Sequence, residues 1–123
     1  MKVSEIDTPA LLIDREIALR NLQKMQSYAD AAGVNLRPHT KTHKMPYFAK
    51  LQESLGAAGI TVAKTGEAEI MAANGLKDIF IANEIVGELK FQRIIALLRA
   101  GINLSFGIDS IEQVSLIERA FER

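Results

Sequence analysis

One short segment of the chain concentrates residue types that could carry out chemistry. Residues 36–44 read LRPHTKTHK, although the chain as a whole is charge-balanced, with 15 basic and 15 acidic residues. Nearby positive charge and desolvation both favour the neutral form of a lysine amine. A neutral amine can attack an aldehyde and form a Schiff base. The segment therefore predicts lysine chemistry, and its cationic and titratable residues are Arg37, His39, Lys41, His43 and Lys44.

Two histidines four residues apart also suggest a metal site. On an extended strand, positions i and i+4 lie about 13 Å apart, which is too far for both side chains to bind one ion. A helix would bring them together, but Pro38 and the two neighbouring threonines disfavour a helix. We therefore predict no metal site in this motif. The alternative to lysine chemistry is a basic strand end that pairs with acidic neighbours or binds a phosphate group.

Short apolar runs alternate with amphipathic runs along the chain, as βα units do. An extended apolar segment, residues 10–13, precedes a helix that is predicted from its N-cap Asp14 to Gly33. The next helix has Pro46 in its first turn, where proline is favoured. Later strands are predicted at 60–64, 78–83 and 102–109, and later helices at 45–59, 65–75, 87–101 and 110–123.

Residues 34–41 are predicted as the first strand of the sheet. Side chains alternate along a strand, so Arg37, His39 and Lys41 would share one face. Pro38 cannot donate a ladder hydrogen bond, so this strand should be irregular or lie at an edge. Ligands and catalytic groups lie at the carboxyl ends of parallel strands. Later strand ends offer Lys64, Thr65, Asn83, Asp109 and Ser110, of which the last two are predicted to cap a helix.

Strand–helix alternation predicts a parallel α/β sheet with right-handed crossovers. Two architectures fit: an open doubly wound sheet, or about half of a (β/α)8 barrel, which in full needs about 250 residues. The sequence contains neither GxGxxG nor GxxxxGK[ST]. The nearest feature is KTGEAE at 64–69. It could present backbone N–H groups to an anion, but a tight turn before a helix is the preferred interpretation.

Composition argues against several classes of protein. A net charge of zero argues against a nucleic-acid binder or a membrane-surface binder. The absence of cysteine excludes disulfides, thiolate metal sites and cysteine nucleophiles. No run approaches the roughly 18 apolar residues of a membrane span, and the start of the chain lacks the pattern of a secretory signal. We therefore expect a cytoplasmic protein that binds neither nucleic acid nor a membrane.

The motif RPHTKTHK, with TPALLID, ITVAKTGEAE, DIFIAN and FGIDS around it, resembles a known enzyme group. It is similar to the amino-terminal region of the D-threonine aldolase and eukaryotic-type D-serine dehydratase group. These are alanine racemase-like, fold-type III enzymes that use pyridoxal 5'-phosphate. The resemblance implies that residues 1–123 are the amino-terminal portion of a (β/α)8 TIM-type barrel domain, alternating βα units that form about half of it.

The same resemblance implies roles for individual residues. Lys41, the first lysine of the motif, would bind the cofactor covalently and serve as a catalytic base once released. His39 and His43 are candidate catalytic residues that tune the site or carry protons, with packed, hydrogen-bonded histidines as the alternative. Arg37 is a candidate cofactor-binding residue acting through its charge, with a barrel arginine paired to a carboxylate as the alternative.

The activity implied is that of a lyase acting on small D-amino acids, of the aldolase or dehydratase type, with racemisation as a third outcome. The resemblance also implies a homodimer, a carboxyl-terminal β domain and a divalent metal whose ligands lie outside this chain. By itself a half-barrel would expose two sheet edges and an apolar inner face, and we expect it to be inactive. Two other interpretations stay open: a non-catalytic cofactor-binding barrel protein and an unrelated phosphate-binding α/β module.

Overall fold

The computed structural model describes residues 2–122, which form five α-helices, three β-strands and two short 3₁₀-helices. The strands are β1, Ile60–Val62; β2, Asp78–Glu84; and β3, Asn103–Gly107. The α-helices are α1, Arg15–Ala31; α2, Pro46–Ser54; α3, Thr65–Ala73; α4, Glu88–Arg99; and α5, Ile111–Phe121. The 3₁₀-helices are Val3–Glu5 and Thr40–Thr42.

Local capping residues fix where several helices begin, as the sequence predicts. The Asp14 carboxylate accepts a hydrogen bond of 2.9 Å from the Ile17 amide at the start of α1. The Ser110 hydroxyl accepts one of 3.1 Å from the Gln113 amide at the start of α5. Pro46 occupies the first turn of α2, where its missing N–H is not needed. These bonds satisfy amide groups that have no partner inside their helices.

The three strands form a parallel sheet in the order β1-β2-β3. One face of this sheet packs against the helices and supplies the strand residues of the core. A doubly wound sheet would carry helices on both faces, whereas here α2 to α5 all contribute to a single core on one face. The arrangement is therefore that of a partial barrel. The core includes Ile60, Val62, Ile79 and Ile81 from the strands and Ala49, Ala68, Met71, Phe91, Ile94, Leu97 and Ala120 from the helices.

The opposite face of the sheet is mainly polar, which corrects the expectation of an apolar inner face. Thr61, Phe80 and Ser105 are aligned across the three strands, one position out of phase with the core residues. Phe80 is half-buried and Ser105 is exposed. At the start of the strands, Asp78 is aligned with Asn103 on this same face. The inner face is therefore suited to contact with water or polar groups.

The predicted first strand, residues 34–41, is wrong in its extent. Within residues 2–122 this segment forms a single bridge, a parallel pairing of His39 with Thr61. The Thr61 amide donates to the Pro38 carbonyl at 2.8 Å, and the Ala58 amide donates to the Leu36 carbonyl at 2.9 Å. Beyond the bridge the chain turns into the 3₁₀-helix Thr40–Thr42. An edge segment has one neighbouring strand only, and Pro38 has no N–H to extend the ladder.

The predicted extended segment at residues 10–13 is not part of the sheet. Its apolar side chains are largely exposed, with Leu11 91 % and Leu12 55 % exposed. Within residues 2–122, no helix has both the length and the apolar character that crossing a membrane requires.

Candidate functional site

Side-chain hydrogen bonds hold the backbone of the predicted lysine motif in a tight turn. We call residues 39–44 the carboxyl-end turn, because they begin at His39, which pairs with β1, and continue at the carboxyl end of the sheet. The His39 ring accepts a hydrogen bond from the Lys41 amide at its Nδ1 atom, at 3.2 Å. The buried Thr40 hydroxyl donates to the Thr61 carbonyl at 3.1 Å, and the Lys44 amide donates to the Thr40 carbonyl at 2.7 Å. Lys41 thus stands on a fixed backbone, with its side chain exposed.

The two lysines of the turn differ in what their amines contact. The Lys44 ammonium forms a salt bridge of 3.2 Å with Glu67, which is largely buried. The other oxygen of Glu67 accepts a hydrogen bond from the Ala63 amide at 2.8 Å. The Lys41 amine takes part in none of the salt bridges found within residues 2–122. Of the two amines, that of Lys41 is the one open to reaction.

Glu67 is a residue whose part in this region the sequence did not reveal. Its burial acts to raise the pKa of its carboxyl, but the Ala63 amide and the Lys44 ammonium outweigh this, so the pKa lies below its usual value. A glutamate in the first turn of a helix is a weak signal of a contact outside that helix, because most such residues interact only with their own helix.

Both histidines of the motif favour the neutral form. Burial, followed by the charge of Lys41, lowers the pKa of His39. Burial also lowers the pKa of His43, although the Gln52 side chain and the Met45 amide act in the opposite direction. The His43 ring lies 5.6 Å from the Phe48 ring, and its Nδ1 atom accepts a hydrogen bond from the Met45 amide at 3.0 Å. His43 is therefore packed against the start of α2, while His39 directly supports Lys41.

Arg37 lies at the other end of the sheet from the carboxyl-end turn. Its guanidinium forms a salt bridge of 2.6 Å with Asp78, the first residue of β2. Asn103, the first residue of β3, donates to the second oxygen of Asp78 at 2.9 Å. We call Arg37, Asp78 and Asn103 the amino-end cluster. Burial and the charge of Asp78 raise the pKa of the nearby Glu53. The structure thus gives Arg37 a carboxylate partner and does not bring it to Lys41.

The ring of positive charge that the sequence predicts around Lys41 is largely neutralised. Arg37 and Lys44 are each paired with a carboxylate. His39 and His43 have lowered pKa values, so both are mostly uncharged at neutral pH. Within this chain, the motif therefore positions the Lys41 backbone, and it places little net positive charge around the Lys41 amine.

A cavity of about 400 Å³ lies beside the carboxyl-end turn. Its lining combines backbone at the start of α3 with cationic and apolar side chains. No group of three or more histidine, cysteine, aspartate or glutamate residues that could hold a metal ion forms within residues 2–122. The lining residues are Thr40, Lys44, Lys64, Gly66, Glu67, Ile70 and Met71.

The chain is similar to curated enzymes over nearly its whole length. It is 36 % identical over 124 aligned positions to the 3-hydroxy-D-aspartate aldolase of Paracoccus denitrificans, which it covers to 32 %. It is 39 % identical over 118 positions to the D-threonine aldolase of an Arthrobacter species, which it covers to 31 %. With the D-threo-3-hydroxyaspartate dehydratase of a Delftia species the identity is 39 % over 112 positions, or 29 % of that protein. The chain thus spans about a third of the length of these relatives.

Solved structures agree with the sequence comparison. The D-threonine aldolase of Filomicrobium marinum superposes with a TM-score of 0.93 at 37 % identity, over 98 % of this chain and 32 % of that one. An alanine racemase-like protein of Idiomarina loihiensis superposes with a TM-score of 0.86 at 32 % identity, over 98 % of this chain and 32 % of that one. The chain matches the amino-terminal part of the alanine racemase-like D-threonine aldolase and D-serine dehydratase group.

The fold predicted from that resemblance is confirmed, because the parallel α/β arrangement of this chain matches the barrel domain of the group. No protein-family model matches the chain.

Proposed function

We propose that this chain is the amino-terminal portion of a pyridoxal phosphate-dependent lyase acting on D-amino acids, with Lys41 as the residue that binds the cofactor. The remaining barrel strands and a carboxyl-terminal β domain would lie outside residues 1–123. The observation that carries the proposal is the contrast between the two lysines. The Lys41 amine is exposed at the carboxyl end of a parallel sheet and unpaired within residues 2–122, whereas the Lys44 amine is held by Glu67.

The residues present fit the cofactor in type. A free primary amine can react with its aldehyde, and the adjoining cavity of about 400 Å³ presents the ammonium groups of Lys44 and Lys64 to an anionic group. When bound, pyridoxal phosphate acts as an electron sink for charge that develops at the α-carbon of an amino acid. Arg37 would contribute by holding the start of the motif, not by contacting the cofactor.

His39 would position Lys41 and exchange protons with it. Its Nδ1 atom is occupied by the Lys41 amide, so its proton lies on Nε2 in the neutral ring. Neutral His39 adds no positive charge beside Lys41, and its Nε2 atom is the one available to a proton-transfer partner. His43 would act less directly, because its ring packs against Phe48 of α2.

The substrate class follows from what the named relatives share. One is named for 3-hydroxy-D-aspartate, another for D-threonine and a third for D-threo-3-hydroxyaspartate. Each of these molecules is an amino acid with D configuration and a hydroxyl on the β-carbon. We therefore propose a β-hydroxy D-amino acid as substrate of the longer protein, which would act as a homodimer and use a divalent metal held outside this chain.

The cofactor proposal can be tested without any assay of turnover. Pyridoxal phosphate is added to the protein, borohydride is used to fix it to its lysine, and peptide mass spectrometry locates the modified residue. We expect modification of Lys41 and its loss in Lys41→Ala, with Lys44→Ala still modified at Lys41. Modification spread over exposed lysines such as Lys24 and Lys50 would refute the assignment of Lys41.

The reaction is tested on the longer protein by product analysis with D-threonine, D-serine and 3-hydroxy-D-aspartate. An aldehyde together with glycine indicates an aldolase, and a 2-oxo acid together with ammonia indicates a dehydratase. Inversion of the α-carbon alone would indicate a racemase. Cofactor on Lys41 with no product from any of these substrates would favour a non-catalytic cofactor-binding protein.

A further inference from the structure

The start of helix α3 has the features of an anion site that the proposed function does not use. Backbone N–H groups at a helix N-terminus attract anions, because they are unpaired and the helix dipole is positive there. The N-cap of α3 is Lys64, and its side chain does not cap the helix. No acceptor for the N–H group of Thr65 or Gly66 is found within residues 2–122.

The Thr65 side chain gives a second, independent indication. Thr65 is only 3 % exposed, and its hydroxyl has no hydrogen-bond partner in the described part of the chain. Burying an unpaired hydroxyl is unfavourable. Thr65 also lines a cavity of about 220 Å³ in front of the helix. An acceptor in that cavity would satisfy the hydroxyl.

The cavity is lined by cations and by no carboxylate. Lys64, Lys90 and Arg93 belong to its lining, and its other members are Thr65, Gly66, Asn83 and Ile85. Two carboxylates nearby offset part of this charge. Glu69 pairs with Arg93, and Glu67 interacts with Lys64 through its charge. Three cations against two carboxylates, of which Glu67 is also paired with Lys44, still leave an excess of positive charge at the positive end of a helix.

The absence of a side chain at Gly66 permits the Arg93 guanidinium to come close to the start of α3. A Cβ atom at position 66 would come within 3.2 Å of an Arg93 guanidinium nitrogen. The guanidinium therefore lies close to the first turn of α3, although its charge is already paired with the Glu69 carboxylate.

We propose that the start of α3 binds a phosphate-sized anion through the N–H groups of Thr65 and Gly66, the Thr65 hydroxyl, and the ammonium groups of Lys64 and Lys90. The ligand class is a phosphate dianion, either free or as the terminal group of a larger metabolite. This cavity shares Lys64 and Gly66 with the cavity beside the carboxyl-end turn, but Thr65 and Lys90 line this one alone of the two, so these two side chains distinguish the site from the cofactor proposal.

The test is a titration of ¹⁵N-labelled chain with inorganic phosphate, followed by NMR. The amide signals of Thr65 and Gly66 should move most. Thr65→Val, which removes the hydroxyl and keeps the shape, should weaken binding about tenfold, and Thr65→Ser should retain it. Lys90→Gln should weaken binding about fivefold. Lys24→Gln, which neutralises an exposed lysine on α1, serves as the matched control and should leave binding unchanged.

Two further variants and one probe separate the sources of a signal. Lys41→Ala should bind phosphate as the parent chain does; loss of binding in Lys41→Ala but not in Thr65→Val would place the anion at Lys41 and refute the site. Equal weakening by Lys24→Gln and Lys90→Gln would show unspecific charge attraction and also refute it. The absence of any shift among the amide signals of α3 would also refute the site. Competition by pyridoxal phosphate in Lys41→Ala would show that a larger phosphate ester also fits.

A stability measurement tests whether the Thr65 hydroxyl is unpaired in the free chain. Because its hydroxyl is unpaired in the free chain, Thr65→Val should unfold at the same temperature as the parent or at a higher one without phosphate. Added phosphate should stabilise the parent more than Thr65→Val. A large destabilisation by Thr65→Val in the absence of phosphate would mean that the hydroxyl has a structural partner, which contradicts the proposal.

Discussion

The two ends of the sheet use the same nine-residue motif in opposite ways. At the amino end, Arg37 is half-buried and bonded to Asp78, and Asn103 completes the network. At the carboxyl end, the side chains of His39 and Thr40 hold the backbone, and the Lys41 side chain is left exposed. The difference shows how a motif rich in cations can stabilise a fold at one end and present a reactive group at the other.

The largest expected effect comes from filling the space behind Arg37. Gly59 has a positive φ of 145°, and a Cβ there would collide with the Arg37 guanidinium and the Asp78 carbonyl. We expect Gly59→Ala to lower the free energy of unfolding by about 3 kcal/mol, from steric overlap and backbone strain together. Urea denaturation measures this change.

Gly75→Ala is the matched control, since Gly75 also has a positive φ, of 94°, but nothing within 4 Å of a Cβ. It should cost about 1 kcal/mol, from backbone strain alone. Equal effects of the two substitutions would contradict a packed amino-end cluster.

Removing the carboxylate of the amino-end cluster should have the next largest effect. Asp78→Ala leaves the half-buried Arg37 without its partner and Asn103 without its acceptor. We expect a loss of about 2 kcal/mol in the free energy of unfolding, with borohydride trapping of the cofactor on Lys41 unchanged.

Glu112→Ala, at an exposed position in the first turn of α5, is the control for losing a carboxylate. Loss of cofactor trapping in a folded Asp78→Ala protein would show that the amino-end cluster takes part in the site and would undo the contrast between the two ends.

A single hydrogen bond tests the backbone of the carboxyl-end turn. Thr40→Val removes the buried bond to the Thr61 carbonyl and should cost about 1 kcal/mol of stability. Thr42→Val alters an exposed threonine of the same 3₁₀-helix and should be close to neutral. If the turn positions Lys41 as proposed, Thr40→Val should also slow cofactor trapping more than Thr42→Val does. Equal trapping rates in the two variants would contradict the proposal that the turn positions Lys41.

The smallest effect concerns the charge of Glu67. Its folded-state pKa is below the ordinary value of 4.5, so its ionised form stabilises the folded chain above that pH and the contribution is lost as the pH falls through the folded-state pKa. Glu67→Gln should cost less than about 1 kcal/mol at pH 7, because Lys44 is 63 % exposed and solvent screens the pair.

The difference between parent and Glu67→Gln should therefore shrink on acidification, which urea denaturation at pH 7 and below pH 4.5 would show. A difference that grew on acidification would have the opposite sign and would contradict the ion pair.

Much of the local structure could be predicted because it depends on neighbours in sequence. Asp14 and Ser110 cap their helices through residues three positions away. The three strands of the sheet were found from short apolar runs, and the carboxyl-end position of Lys41 followed from their order. The bonds of Arg37 could not be found in this way, since Asp78 lies 41 residues further along the chain.

The sequence by itself determined the βα order, where the helices begin and a lysine motif specific enough to indicate an enzyme group. Only the tertiary structure decided which cations are paired, that Lys41 follows a turn and not a strand, and that the inner face is polar. The physical reason is range. Caps and apolar periodicity act over one helical turn or strand, whereas salt bridges, edge pairing and burial depend on which distant segments meet.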